Sequence, residues 1–370
     1  MSRVAPRSAG IKLWVVVALC VVFVCTVCAI LWLRTPTASP LLQRIYAALD
    51  GGTPPYTMVS EATPPDGWHY SLAFDRYGSD LFLLTVEEVR GSVNPRREYW
   101  DVTTGAKSHE FVRSDPFSFW PVKFSPDGNW VSSDAFARSV HIVNADTGKA
   151  NIVVSNLTFD LAEFELGESV LAFSADSQRL IVVTEDATLT VFESPTGKEI
   201  AKHRVPDARD VLAMIGVAGG PLVACLASDG ELMVLDYETG DVVNQFSWGP
   251  VDRTFSFLTT YDPDLLIVDG NRNGSGVVNW KTGVRLWALD AEHYPLTVLQ
   301  GDVLVSGASL GRIAFWNLRT FEQALEFPAH PQPYGNGVPA SVVFAAASPD
   351  SSWLVTMGAD EKLKFWRLAD

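Results

Sequence analysis

A dipeptide turn recurring at nearly constant spacing limits what this chain can fold into more than any other feature. An apolar strand, a few polar residues and then Thr-Gly recur at Thr104-Gly105, Thr147-Gly148, Thr196-Gly197, Thr239-Gly240 and Thr282-Gly283. The glycines stand 43, 49, 43 and 43 residues apart. A sixth copy, Arg319-Thr320-Phe321, has lost its glycine, and a seventh strand, Leu363–Leu368, runs to the C-terminus. A second signature alternates with the first: a strand, a turn rich in Pro, Asp and Gly, and another strand. Its best copies are KFSPDGNWVSS (123–133), AFSADSQRLIVVT (172–184) and AASPDSSWLVTM (346–357). Weaker copies begin at residues 73, 217, 261 and 299. Each period of about 43 residues holds four short strands, the size of one propeller blade. The chain stops one strand short of completing the seventh unit. Tyr56–Ser60 can supply that strand, which removes an exposed sheet edge and closes the ring.

The unit resembles the WD40 repeat, in which a Ser-Pro-Asp-Gly turn, an apolar strand, Asp-Gly and a strand ending Trp-Asp precede Thr-Gly. Strand ends here read Tyr99-Trp100-Asp101, Phe315-Trp316-Asn317 and Phe365-Trp366-Arg367. Val143, Phe192 and Leu235 take the Trp position in other copies, as a buried site tolerates. The Gly-His pair that often opens the repeat is missing. The resemblance covers residues 56–370 and implies an all-β, seven-bladed WD40-like propeller. It also implies a structural hydrogen-bond set in the last blade: His330, Thr356, Asp360 and Trp366. A further implication is a face of loops that binds proteins and peptides. By register that face carries Arg96 and Arg97 in a long first-blade loop, then Phe117, Trp120, Arg138, Trp248, Arg253, Arg312, Tyr334 and Asp360. Trp, Tyr and Arg tend to dominate interface energy. The plainer reading of Phe117, Trp120 and Trp248 is as plugs between blades.

Ahead of the repeats, Leu13 to Leu33 is 21 residues without a charge. As a helix this run spans about 30 Å, the thickness of a bilayer's hydrocarbon core. Trp14 and Trp32 stand near its ends, where aromatic residues favour the interface. A cleaved signal would have an apolar stretch of about 7–15 residues and a small-x-small site. This run is longer, and no such site follows Leu33. The expectation is a short basic segment at 1–12, a transmembrane helix at 13–33 and a Pro/Gly-containing tether at 34–55. Within that tether Leu41–Leu49 is read as a short juxtamembrane helix. Arg3, Arg7 and Lys12 precede the span and Arg34 and Arg44 follow it. The positive-inside rule then points to a cytoplasmic N-terminus and an extracytoplasmic propeller.

Charge narrows the partners. Formal net charge is −15 over 370 residues, and the five cations of residues 1–44 are accompanied by no Asp or Glu. The remainder carries 23 cations against 43 anions. A body so acidic repels phosphate backbones, which argues against nucleic acid. Three of the four cysteines lie in the apolar run, and Cys225 alone makes no internal disulfide or metal set. The six histidines show no HxxxH or HExxH spacing, and there is no GxSxG, Walker or GxGxxG motif. Asp269, Asn271, Asn273 and Gly274 match half a calcium loop, but Trp280 stands where the bidentate Glu belongs. They read as a hairpin turn. No catalytic residue, cofactor or metal is expected. The functional expectation is a non-enzymatic scaffold that holds another protein or peptide at a membrane through residues 13–33. The alternative is an enzyme or a small-ligand or metal sensor, which needs carboxylates or histidines converging on the central channel.

Overall fold

The computed structural model describes residues 40–369 except 65–67, 75–77, 79, 90–91, 113–119, 136–138, 145–149, 156–170, 185–186, 206–210, 250–256, 261, 270–273, 291, 301, 332, 335–337 and 340. The apolar run at 13–33 lies outside the described residues. Among those described, no helix is long and apolar enough to cross a membrane.

One helix, α1 (Pro40–Asp50), precedes the strands, and β1 (Tyr56–Ala62) follows it. Blade one is β2 (Trp68–Phe74), β3 (Asp80–Val89), β4 (Ser92–Asp101) and β5 (Ala106–Val112). Blade two is β6 (Trp120–Phe124), β7 (Trp130–Ala135), β8 (Ser139–Asn144) and β9 (Ala150–Ser155). Blade three is β10 (Leu171–Phe173), β11 (Arg179–Val183), β12 (Thr188–Glu193) and β13 (Glu199–Arg204). Blade four is β14 (Val211–Val217), β15 (Leu222–Ala227), β16 (Glu231–Asp236) and β17 (Val242–Ser247). Blade five is β18 (Phe257–Thr259), β19 (Leu265–Val268), β20 (Gly276–Asn279) and β21 (Val284–Ala288). Blade six is β22 (His293–Leu299), β23 (Val303–Ala308), β24 (Arg312–Asn317) and β25 (Glu322–Pro328). A two-stranded hairpin, β26 (Pro333–Tyr334) and β27 (Val338–Pro339), leads to β28 (Val342–Ala347), β29 (Trp353–Gly358) and β30 (Leu363–Leu368).

There are seven four-stranded antiparallel sheets, and the seventh is ordered β28, β29, β30, β1. The first strands touch in a cycle, from β2 through β6, β10, β14, β18, β22 and β28 back to β2, so the ring is closed. Tyr56 pairs with Leu368 and Ala62 with Leu363, which makes β1 the outer strand of the last blade. Antiparallel pairing puts the first-to-second and third-to-fourth strand turns on one face, here the turn face. The second-to-third turns and the connections between blades form the opposite, loop face.

The turn face is built by a repeated hydroxyl–carboxylate device. Ser125 Oγ donates to Asp127 (2.6 Å) and accepts from the Trp130 N–H (2.9 Å). Ser174 does the same with Asp176 (2.6 Å) and the Arg179 N–H (2.9 Å), and Ser348 with Asp350 (2.7 Å) and the Trp353 N–H (2.9 Å). Burial opposes ionisation of Asp127, Asp176 and Asp350, but these hydroxyl and backbone donors outweigh it and hold all three below the ordinary carboxylate range.

Middle strands are sandwiched on both faces and read as unbroken apolar runs, as in β16 and β23. Outer strands pack on one face only, so β13 and β17 alternate between half-buried and exposed residues. The core is therefore a series of clusters between neighbouring blades. Val191 of blade three meets Met214 and Met233 of blade four, and Phe74 and Trp100 of blade one meet Trp353 and Phe365 of blade seven. All seven outer strands also carry one β-bulge at the same place. It falls at Val59, Ser108, Val153, Ile200, Val243, Leu286 and Ala324, each skipped by the pairing register. A bulged edge resists pairing with another strand.

The structure corrects the tether. Leu42, Ile45 and Leu49 form one apolar stripe on α1, and all three are buried in the cluster between blades six and seven. They pack in the same cluster as Tyr56, Leu299, Phe315 and Leu368. Arg44 donates to the carbonyl of Ala369, and the Tyr46 hydroxyl reaches the carbonyl of Asp302 at 3.5 Å. Residues 40–50 are thus part of the folded body, docked at the turn-face end of the blade six–seven seam. The stripe is visible in sequence, but its receptor is made by residues some 250 positions downstream.

Candidate protein-binding face

The last blade holds the hydrogen-bond set at 330, 356, 360 and 366. Trp366 Nε1–H donates to Thr356 Oγ1 (2.9 Å), and Thr356 Oγ1 lies 3.0 Å from His330 Nε2. His330 Nδ1 lies 3.0 Å from Asp360 Oδ1. Indole N–H can only donate, so Thr356 accepts it and turns its own proton to Nε2, which leaves Nδ1–H for the carboxylate. His330 and Thr356 are fully buried. Burial works against Asp360's charge, yet the hydrogen bond and attraction of His330 hold its carboxyl below the ordinary range. Gly358 leaves room for this chain, because a Cβ there would overlap Asp360 Oδ1 and His330 Nδ1. Gly358→Ala is expected to cost about 1–3 kcal/mol, as overpacking does, and to lower the thermal midpoint measured by circular dichroism.

Asp360 is therefore committed to His330 and is not a free contact on the loop face. Trp248 is likewise no free contact: it is 8% exposed, and the Arg285 guanidinium lies 4.5 Å from its ring centre. It is a plug between blades four and five, with a cation–π lid. Arg96 and Arg97 do not lie in a loop. They are strand residues of β4, paired with Thr85 and Leu84 of β3. Trp120 opens the innermost strand of blade two and pairs with Asp134. Arg312 opens β24 and is ion-paired with Glu326. Tyr334 sits in β26, opposite Val338. Phe117, Arg138 and Arg253 lie outside the described residues, as do Asn271 and Asn273. Asp269 accepts a hydrogen bond from Ser275 (2.7 Å).

What the loop face does carry is relief. Among the described residues, β3 and β4 continue beyond the Trp68–Val86 pair without a third strand, pairing Glu87 with Asn94, Glu88 with Val93 and Val89 with Ser92. At about 3.4 Å per residue those three further pairs lengthen the hairpin by about 10 Å on the loop face. The β26–β27 hairpin rises on the connection into blade seven and touches the Ser309–Gly311 turn of blade six. At the tip of that turn Leu310 is 54% exposed and holds φ +63°. A leucine in the left-handed region is strained, and such residues cluster at ligand clamps and switch regions. Sequence gives no sign of it beyond the glycine that follows.

A cavity of about 540 Å³ at the turn-face end of the axis is lined by Pro126, Thr259, Thr260, Thr297, Gln300 and Ser348, among others, with no titratable side chain among the described lining residues. Among the described residues no group of three or more His, Cys, Asp or Glu is placed to hold a metal. Cys225 is fully buried, and desolvation pushes its thiol up to about 12, far from a reactive thiolate.

No protein-family model matches the sequence, and no curated protein does. A chain from the crystal structure of the mitotic checkpoint complex superposes with a TM-score of 0.62 over 85% of this chain and 92% of that one, at 16% identity. The fold is a β-propeller. Because 1650 solved chains match this one, the likeness fixes the architecture and selects no function.

Proposed function

We propose that this propeller is a WD40-type, non-enzymatic scaffold that holds another protein or peptide on its loop face, anchored to a membrane by residues 13–33. The observation that carries the reading is the relief on three consecutive blades. The Leu310 turn, the β26–β27 hairpin and the lengthened β3–β4 hairpin lie on one side of blades six, seven and one, and none is needed to close a sheet. A rigid ring that presents such features loses little entropy on binding. The described lining of the turn-face cavity holds no acid or base, so that cavity adds no support to the channel-enzyme alternative. The anchor reading rests on the 21 uncharged residues at 13–33, and the three cations before them against two after support a cytoplasmic N-terminus.

The test is a photo-crosslinking side chain at Asn94 or Leu310 on the loop face, against one at Glu238 on the turn face, in intact cells. Adducts with another protein are expected from 94 and 310 and not from 238. Trimming residues 87–94 to a two-residue turn should abolish the adduct at 310 and leave the unfolding free energy, measured by denaturant titration, within about 0.5 kcal/mol of the parent, as surface changes do. External protease should then release the propeller with its adduct by cutting within residues 34–39. Adducts from 238 alone, or from no position, would remove the scaffold reading.

A further inference from the structure

We infer that the cavity at the turn-face end of the axis is a binding site for a neutral, hydroxyl-rich small molecule of the sugar or polyol class, seated against the inner turns of blades five, six and seven. The site lies on the side of the ring opposite the loop face and is independent of the scaffold reading above.

The cavity has a local cause in chain length. The turn from first to second strand holds five residues in blades one, two, three, five and seven, but only three in blade six, Gln300–Asp302. What the missing residues would do is visible in blade three. There Ser177, at φ +63°, accepts the Asp127 N–H of the preceding blade on its hydroxyl (3.0 Å). Ser351, at φ +59°, holds the same place in the turn of blade seven and is only 1% exposed. The preceding blade is now blade six, whose shortened turn directs the Asp302 N–H to its own Leu299 carbonyl (3.1 Å). Gln300 reaches across instead, its Nε2 donating to the Asp350 carbonyl (2.7 Å). Ser351 Oγ therefore lines the cavity with no hydrogen-bond partner among the described residues. Buried hydroxyls are ordinarily paired, so this one marks a place where a bound group completes the structure.

The rest of the lining sets the ligand class. Thr259 of blade five and Thr297 of blade six also line the cavity, and their hydroxyls too have no partner among the described residues. Three hydroxyls from three consecutive blades converge there, and each can donate as well as accept. Leu258, Val298 and Pro349 form apolar wall between them. A ring of alternating hydroxyl edges and C–H faces matches that surface, and about 540 Å³ lies within the size range of small-molecule sites. A charged ligand matches it poorly. The described lining holds no counter-charge, so an ion entering loses its hydration without compensation. Anions also meet Asp127 and Asp350 in the turns that carry Pro126 and Pro349. Burial opposes ionisation of both, but hydroxyl and backbone donors hold their carboxyls below the ordinary range.

The test is saturation-transfer NMR on the full chain, held in a detergent that has no sugar headgroup. The probes are glucose, trehalose and myo-inositol, with glucosamine and glucuronate as charged counterparts. Saturable transfer is expected to at least one neutral probe and to be weaker for both charged ones. Ser351→Ala and Thr297→Val should each weaken binding by about two- to tenfold, the worth of one hydrogen bond. Both should leave the thermal midpoint unchanged, because neither hydroxyl bonds the protein, and Thr297→Ser should bind like the parent. Equal binding by the parent and both variants would overturn the site, as would no saturable transfer to any neutral probe at tens of millimolar. Tighter binding of glucosamine or glucuronate would overturn the neutral class. A lowered midpoint in Ser351→Ala would show that its hydroxyl already bonds the protein, and the argument from its vacancy would fall.

Discussion

Deleting residues 1–62 is expected to leave a chain that cannot reach a stable propeller, whereas deleting residues 1–39 leaves the thermal midpoint unchanged. The two deletions differ by α1 and β1, and β1 closes the ring. It supplies the fourth strand of the last blade, pairs with β30 along its length, and buries Tyr56. The Tyr56 hydroxyl donates to the carbonyl of Ser351 (2.7 Å), and its ring stacks on Phe315 at 6.2 Å. Without β1, β30 becomes an unpaired edge while Leu363 and Phe365, both fully buried, lose one wall. An exposed apolar edge of that kind recruits other chains. The expected readout is recovery in aggregates, or a soluble species that binds a hydrophobic dye and melts without a cooperative transition. Within the same series Ile45→Ala tests α1 separately. A fully buried isoleucine truncated to alanine costs about 2–5 kcal/mol, so the midpoint should fall by several degrees. A silent Ile45→Ala would return residues 40–50 to the status of a loose linker, and a 1–62 deletion that melts like the full chain would sink the closure argument.

The period of the Thr-Gly turns and the Ser-x-Asp turns carries the blade count and the closing strand, because those turns are made by residues two to five apart and need nothing from elsewhere. The tetrad of the last blade joins residues up to 36 positions apart, and His330, Thr356, Asp360 and Trp366 are legible only through the resemblance to the WD40 repeat. Contacts between blades are different. Whether Trp248 faces water or lies under a cation depends on Arg285, a residue of the next blade. Whether the stripe on α1 is a stub or a docked helix depends on Phe315 and Leu368. Arg96 and Arg97 fail for another reason. The segment from Glu87 to Arg97 is rich in charge and holds Gly91 and Pro95, the composition of a loop. Yet its backbone is strand, Glu87–Val89 and Ser92–Arg97 belonging to one antiparallel ladder, a pairing that composition alone does not reveal.

Thr356→Val is expected to cost more than the equivalent change one blade earlier, and the comparison isolates what the His–Asp pair contributes. In blade six Trp316 Nε1–H donates to Ser306 Oγ (2.8 Å), with His293 standing edge-on to the indole ring at 5.1 Å instead of bonding the hydroxyl. Ser306→Ala therefore orphans one buried donor, at about 1–3 kcal/mol. Thr356→Val keeps the shape but orphans both the Trp366 N–H and His330 Nε2, so a loss of about 2–6 kcal/mol follows from the same unit cost. Acid separates the carboxylate's share. Asp360's folded-state pKa lies below its ordinary value, so its ionised form is the one the fold binds. Its contribution is complete above the unfolded value of about 3.9 and is lost as pH falls through the lowered folded value. The stability gap between the parent chain and Asp360→Asn, measured by denaturant titration, should then be full at neutral pH and narrow only in acid. The gap for Thr356→Val should persist further into acid, since no titration of residue 356 is involved. Equal pH dependence of the two gaps would mean that Asp360 acts through packing alone, and the hydrogen-bonded chain from indole to carboxylate would lose its claim to hold the last blade together.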